Sequence, residues 1–154
     1  MDSYLQNILR FNEQLTPIGL RVEHLEQLRA VRPDALVICG MGGSALAGDI
    51  VAGVADELGL RVPVIVHKDY GLPKISPAHE RPLYIFISFS GNTEETLSGL
   101  KKLLQPATPA RPNGISRSGR RNLQPRIAVI TTGGGLLKVA RAKKLATVTF
   151  PAGS

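Results

Sequence analysis

Short, continuously apolar runs, each ending in a loop of glycines and hydroxyl residues and then a helix-like stretch, leave this chain very few architectures. Ala35-Leu36-Val37-Ile38-Cys39 leads into Gly40-Met41-Gly42-Gly43-Ser44, and Leu83-Tyr84-Ile85-Phe86-Ile87 leads into Ser88-Phe89-Ser90-Gly91-Asn92-Thr93. Both runs are rich in branched or aromatic residues and lack alternating polar positions, as strands buried on both faces of a parallel sheet do. Parallel neighbours need a crossover between them, normally a helix.

Read along its length, the chain alternates helix and strand. Helices are predicted near Tyr4 to Leu15 and Val22 to Ala30, their Leu and Ile spacing fitting amphipathic packing. Strand 35–39, helix 44–58, strand Val62 to Val66, strand 83–87 and helix 93–104 follow. Strand Arg126 to Thr131, a short helix from Leu136 to Lys143 and a last strand Leu145 to Phe150 complete the series. Five strands in this rhythm imply an α/β fold of three layers, a doubly wound five-stranded parallel sheet with right-handed crossovers. In a flavodoxin-like order the topological switch falls between the first strand and the third, and ligands bind outside the carboxyl ends of the strands there. The two loops sit at those ends, and Thr131-Thr132-Gly133-Gly134-Gly135 forms the neighbouring wall.

The loops read as a cradle for one phosphate. Gly42 and Gly43 let backbone N–H groups approach a ligand oxygen, and Ser44 opens a helix whose first N–H groups and dipole favour an anion. Ser88, Ser90 and Thr93 add three hydroxyl donors without a full positive charge. Asn92 and Glu95, three apart, have the spacing of a capping box for the following helix. Thr131 and Thr132 have two open readings, as bonds to a sugar hydroxyl or as caps of the next helix.

The 154 residues are expected to form one domain, burying roughly 70% of its unfolded surface. The N-terminus lacks the basic start and apolar core of a signal peptide, and no apolar run approaches the ~20 residues that span a bilayer, so the expectation is a cytoplasmic protein with no membrane partner. Cys39 is the one cysteine, which excludes an internal disulfide and a cysteine-built zinc site. The net charge of +7 invites a nucleic-acid reading. Its location argues against one, because Arg111, Arg117, Arg120, Arg121 and Arg126 crowd into residues 106–126, which contain no acid. That Pro- and Gly-rich basic loop cannot build a core and reads as an insertion.

Gly40-x-Gly42-x-x-Ala45 also fits a dinucleotide fingerprint, which calls for an acid at the end of the second strand. Asp69 comes three residues late with Lys68 beside it, and a hydroxyl-rich second loop has no duty in such a site.

Four motifs in order, Gly40-Met41-Gly42-Gly43-Ser44-Ala45, His67-Lys68-Asp69-Tyr70-Gly71-Leu72-Pro73, Ser88-Phe89-Ser90-Gly91-Asn92-Thr93-Glu94-Glu95-Thr96 and Thr131-Thr132-Gly133-Gly134, resemble those of sugar isomerase (SIS) domains. The resemblance is to the N-terminal half of bifunctional phosphoglucose/phosphomannose isomerases. It covers the chain as a single SIS domain, residues 1–34 being N-terminal helices and 106–126 an insertion. It implies isomerisation of glucose 6-phosphate or mannose 6-phosphate to fructose 6-phosphate without metal or other cofactor. Ser44, Ser88, Ser90 and Thr93 match the family's phosphate ligands, and Gly42 and Gly43 match the backbone of its sugar site. The base glutamate, the ring-opening histidine and a late lysine of such isomerases lie in a second SIS domain, so no catalytic residue is expected here. Val148 to Ser154 resembles the start of a segment that continues in the family into Pro-Arg, and a truncated product or domain-sized fragment is therefore expected. His24, His67 and His79 read as surface or capping residues, and Glu94 and Glu95 as first-turn dipole partners.

Three function classes follow: a phosphosugar isomerase complete only with a second half, a non-catalytic phosphosugar-binding or sensing module, and a basic-loop nucleic-acid binder. Self-association, or pairing with a complementary SIS-domain chain, is expected of a half-site.

Overall fold

The computed structural model describes residues 19–29, 32–105 and 126–151. The helix expected near Tyr4 to Leu15 lies outside the described residues, as does the basic loop up to residue 125. The elements are β1 (Arg21–Glu23), α1 (Glu26–Arg29), β2 (Ala35–Cys39), α2 (Gly42–Gly53), β3 (Val64–His67), β4 (Pro82–Ser88), α3 (Glu94–Leu104), β5 (Arg126–Thr131), α4 (Gly134–Ala142) and β6 (Ala146–Thr149).

The strands form one six-stranded sheet in the order β1-β6-β5-β4-β2-β3. The five from β2 to β6 run parallel, and β1 pairs antiparallel with β6, Val22 opposite Val148. From β2 the chain moves outward to β3, then returns past β2 to β4 and proceeds the other way. The switch therefore lies between β2 and β4, where two of the glycine- and hydroxyl-rich loops emerge.

The layers follow from strand alternation. Val37, Cys39, Tyr84, Phe86, Ile127 and Val129 form the core cluster with Leu100 of α3 and Leu136 and Ala140 of α4, so those helices share one face. α2 takes the other, where a Cβ on Gly48 would stand 2.9 Å from Ile38 Cγ2 and 3.2 Å from Val66 Cγ1. The doubly wound α/β expectation holds in this arrangement.

Three expectations need correction. The sheet has six strands rather than five, and one is antiparallel. The helix expected over Val22 to Ala30 is instead β1, a break at His24 with φ +57°, and the single turn α1. Leu20, Arg21, Val22 and Glu23 alternate with the period of a strand, and pairing with β6 outweighs helix propensity. Helix α2 ends at Gly53, five residues short of the expected end, and residues 54–59 form turns closed by Gly59 with φ +67°.

An ion pair helps to hold β1 in place. Glu23 accepts from Arg141 Nη2 at 2.6 Å and from Nε at 3.2 Å, and this hydrogen bonding holds the Glu23 carboxyl below the ordinary glutamate range. A carboxyl with a lowered folded pKa stabilises the fold above its unfolded pKa and loses that contribution as pH falls through the folded value. Protection of the β1 amides in hydrogen exchange is therefore expected to decline as pH drops below the ordinary glutamate range, and Glu23→Gln is expected to remove that decline. Identical pH profiles for the two chains would contradict the pairing.

Candidate functional site

The carboxyl ends of β2, β4 and β5 deliver their loops to one place, and a few hydrogen bonds lace them together. Phe89 N–H donates to Ser44 Oγ at 3.3 Å, joining the loop after β4 to the first turn of α2. Thr132 N–H and Oγ1 both donate to the Phe89 carbonyl, at 3.2 and 2.6 Å, joining the loop after β5 to that after β4. Ser44, Ser88, Ser90, Thr93, Thr131 and Thr132 are thus gathered on one edge of the sheet.

The helix ends in this layer differ in what closes them. At α4, Gly135 N–H donates to Asn92 Oδ1 at 2.9 Å and Leu136 N–H to the Gly91 carbonyl at 2.8 Å, so the loop after β4 caps the helix. At α2 the N-cap is Met41 and at α3 it is Thr93, and neither side chain makes a capping hydrogen bond. Helix starts carry partial positive charge, and those of α2 and α3 lack the side-chain acceptor that α4 has; at α2 the Ser44 N–H turns back to the Met41 carbonyl at 3.0 Å. The capping box expected from Asn92 and Glu95 is corrected accordingly: Thr93 occupies the cap of α3, and Asn92 serves α4. Asn92→Ala is expected to cost about 1 kcal/mol, the ordinary worth of a cap, in chemical denaturation. A stability equal to that of the unchanged chain would remove Asn92 from this role.

Two kinds of glycine are present. Gly42 and Gly43 are exposed, and a Cβ on either would meet nothing within 4 Å, so their backbone borders open space at the start of α2. Gly91 has φ +68°, and a Cβ there would run into the Gly133 carbonyl and come 2.8 Å from Thr131 Oγ1.

The hydroxyls are graded in depth. Ser88 is 1% exposed, accepts from Gly91 N–H at 3.0 Å and shares a 2.9 Å bond with Thr93 Oγ1. Thr93 is half-buried in front of it, and Ser90 is exposed, its Oγ accepting from Asn92 N–H at 3.2 Å. When Ser88 donates to Thr93, the Thr93 hydroxyl proton is left to point outward. Thr131 is fully buried and donates to the Gly133 carbonyl at 3.1 Å, so both threonines of the third loop give their protons to loop carbonyls.

The rim carries charge of both signs. Lys68 Nζ meets Asp49 Oδ2 at 2.6 Å. Asp69 accepts from Tyr70 N–H at 2.7 Å, so the carboxylate closest to a ribose-binding position is engaged in its own turn. Tyr70 is exposed and its hydroxyl donates to Glu94 Oε2 at 3.3 Å, while the negative field of Glu95, with burial and Glu94, pushes the phenol above its ordinary range. The loop beneath Tyr70 is docked on α3: Gly71 N–H donates to Ser98 Oγ at 2.8 Å, and Gly99 lets the Gly71 carbonyl approach closely.

The remaining candidates are dispersed. Cys39 is 2% exposed and burial pushes its thiol up to about 12, the behaviour of a core residue. His24 faces Glu26 at 3.7 Å, and His79 lies in the loop before β4, its N–H on the Ser76 carbonyl. His67 ends β3, its carbonyl accepting from Gly40 N–H at 3.1 Å and its buried Nε2 without a hydrogen-bond partner. Among the described residues no group of His, Cys, Asp and Glu is arranged to hold a metal ion, and no helix is long and apolar enough to cross a membrane.

Fold and site together define an α/β protein with a mostly parallel six-stranded sheet, the loops after β2, β4 and β5 meeting at the carboxyl ends of their strands. The chain is 37% identical over 90 residues to the bifunctional phosphoglucose/phosphomannose isomerase of Thermoplasma volcanium, an overlap of 58% of this chain and 28% of that protein. Proteins of the same name from Caldicellulosiruptor bescii and Thermoplasma acidophilum are 36% identical over 121 residues and 32% identical over 133. These overlaps cover 78% and 79% of this chain but 30% and 40% of the relatives, so the chain spans about a third of the length of the curated proteins it matches. No protein-family model matches the sequence.

Proposed function

We propose that this chain is a SIS domain of flavodoxin-like order, the N-terminal phosphosugar-binding half of an aldose–ketose isomerase. The substrates in this reading are glucose 6-phosphate and mannose 6-phosphate, the product is fructose 6-phosphate, and no metal or other cofactor takes part. The observation that carries it is the meeting of Ser44, Ser88, Ser90 and Thr93 at the starts of α2 and α3, the two helix ends that no side chain caps. The identity to proteins named phosphoglucose/phosphomannose isomerase supports the choice of a phosphosugar over other anions.

In this account the phosphate sits between the two helix starts, with Gly42 and Gly43 supplying backbone donors and Ser44, Ser90 and Thr93 supplying hydroxyls. Ser88 holds Thr93 from behind. The sugar extends toward Thr131 and Thr132, whose oxygens keep lone pairs for a sugar hydroxyl. Hydroxyls and backbone amides suit the task because they bind phosphate without competing for the proton that moves in the reaction.

Isomerisation shifts a proton from C2 to C1 through an enediol and needs a base near both carbons, plus acid–base help to open the ring. This reading assigns those groups to a complementary domain outside this sequence, and places the chain in the cytoplasm. The surface of α2 supports such a partner. Small Ala45 and Gly48 face the sheet, while Leu46 and Ile50 of the helix, with Val54 and Leu58 of the turns that follow it, are 38–58% exposed. Sedimentation at high concentration is expected to show association, or to show it once a complementary chain is added.

The function itself is tested by calorimetric titration with fructose 6-phosphate, with fructose and NAD as controls. Saturable binding of the sugar phosphate alone is expected. Heat from NAD with none from the sugar phosphate would replace this reading with a dinucleotide site.

A further inference from the structure

Tyr70 is fixed firmly in a place where its ring buries little. It is 57% exposed and stands outside the core cluster, which its loop meets through Leu72 and Ile75 instead. The backbone on either side is nevertheless anchored. Tyr70 N–H donates to Asp69 Oδ1 at 2.7 Å, Gly71 N–H donates to Ser98 Oγ at 2.8 Å, and Ser98 Oγ in turn donates to the Glu95 carbonyl at 2.8 Å. Gly71 holds φ +74°, and its carbonyl lies so close to α3 that a Cβ on Gly99 would stand 2.6 Å from it. The loop is thus docked without help from the Tyr70 ring.

What the ring does reach is a carboxylate. The Tyr70 hydroxyl donates to Glu94 Oε2 at 3.3 Å, and Glu94 is the first residue of α3, directly after the cap Thr93. The field of Glu95, with burial and Glu94 behind it, raises the phenol above its ordinary range, so the hydroxyl keeps its proton and remains a donor at neutral pH. No cation takes this place among the described residues. Their ion pairs are His24 with Glu26, Lys68 with Asp49, Arg81 with Asp34 and Arg141 with Glu23, and Lys68, two positions before Tyr70, is engaged by Asp49 at 2.6 Å.

A carboxylate in the first turn of a helix is itself an anion at a helix start. It gains from the same partial positive charge that a phosphate would use, and it repels a phosphate that comes near. The start of α3 carries two such residues, Glu94 and Glu95, and no side chain caps it. An anion site there works best when the resident carboxylate is drawn aside.

We propose that Tyr70 is a positioning residue for the phosphate cradle: its hydroxyl holds the Glu94 carboxylate toward the loop after β3 and leaves Thr93 and the α3 start to the ligand. This rests on the phosphate reading given above and adds a residue to it that touches no substrate. A neutral donor suits the role, because it orients the carboxylate without introducing a cation that would bind phosphate on its own.

A double-mutant cycle tests this, with fructose 6-phosphate titrated calorimetrically into the unchanged chain, Tyr70→Phe, Glu94→Gln and the double variant. Phenylalanine keeps the ring and removes only the hydroxyl, so all four chains are expected to share one urea midpoint. Tyr70→Phe is expected to weaken binding about threefold, the worth of an exposed hydrogen bond, whereas Glu94→Gln leaves binding as tight or tighter. In the Glu94→Gln background the effect of Tyr70→Phe is expected to vanish, because no charge remains to be held; a merely structural role for Tyr70 would weaken binding equally in both backgrounds. Equal weakening in both, or no effect of Tyr70→Phe in either, overturns this inference alone when the unchanged chain binds the sugar phosphate. Absence of binding to the unchanged chain overturns the phosphate reading and this inference together.

Discussion

Alanine at Gly91 is expected to destabilise the chain by about 3 kcal/mol, combining the strain of a left-handed residue that bears a Cβ with the cost of forcing atoms apart in a packed site. Gly91 holds φ +68°, and its added Cβ would strike the Gly133 carbonyl, a backbone atom that cannot swing aside as a flexible side chain does. The same shift would break the bond from Leu136 N–H to the Gly91 carbonyl and pull Asn92 from Gly135 N–H, uncapping α4. The loss is thus structural first and functional second. A urea midpoint well below that of the unchanged chain, together with weakened phosphosugar binding, is expected. An unchanged midpoint would show that the loops after β4 and β5 are not locked at this point.

The second large effect falls on affinity. Replacing Ser88 and Thr93 together with alanine is expected to weaken fructose 6-phosphate binding about tenfold. The Thr93 hydroxyl bond to a charged group is worth about 1.5 kcal/mol at the low end of its range, which is about one factor of ten. Thr93 loses its direct donor, and Ser88 loses the contact that aims Thr93. Stability should fall by less, about 1 kcal/mol, because Gly91 N–H is the main buried donor left without its Ser88 acceptor. Calorimetry and urea denaturation on the same variant separate the two. Affinity within a factor of about two of the unchanged chain would exclude these hydroxyls as phosphate ligands.

The fold was legible where local pattern and tertiary environment agree. β2, β4 and β5 are continuous apolar runs, and their placement requires only recognition of the run. β1 was not legible, since three residues of alternation at a sheet edge are too few to outweigh the Leu and His that follow, and its stability comes from β6 and Arg141. α2 misled in a different way. Leu46, Ile50, Val54 and Leu58 are spaced four apart, yet the helix expected over 44–58 ends at Gly53 and all four are exposed. The sheet instead accepts Ala45 and Gly48, which allow close packing on Ile38 and Val66.

The site divides along the same line. Ser44, Ser88, Ser90 and Thr93 could be placed from sequence because each follows its strand directly, and strand ends in a doubly wound sheet share one edge. The partners of those residues could not. Asn92 reaches a helix start 43 positions away, and Phe89 is held by Ser44 and Thr132 from two other loops. Glu94 and Glu95 were placed in the first turn of α3, but the Tyr70 hydroxyl that meets Glu94 belongs to a loop whose course depends on Gly71 and Gly99 packing together.

The most direct test of the central claim is backbone amide mapping by NMR during addition of fructose 6-phosphate. The account requires the largest shifts at Gly42 and Gly43 and at Thr93, Glu94 and Glu95, in the two helix starts without a side-chain cap, with little change at Gly135 and Leu136, whose amides are already engaged. Shifts concentrated elsewhere, or none at saturating ligand, would contradict the phosphate cradle and the isomerase reading built on it.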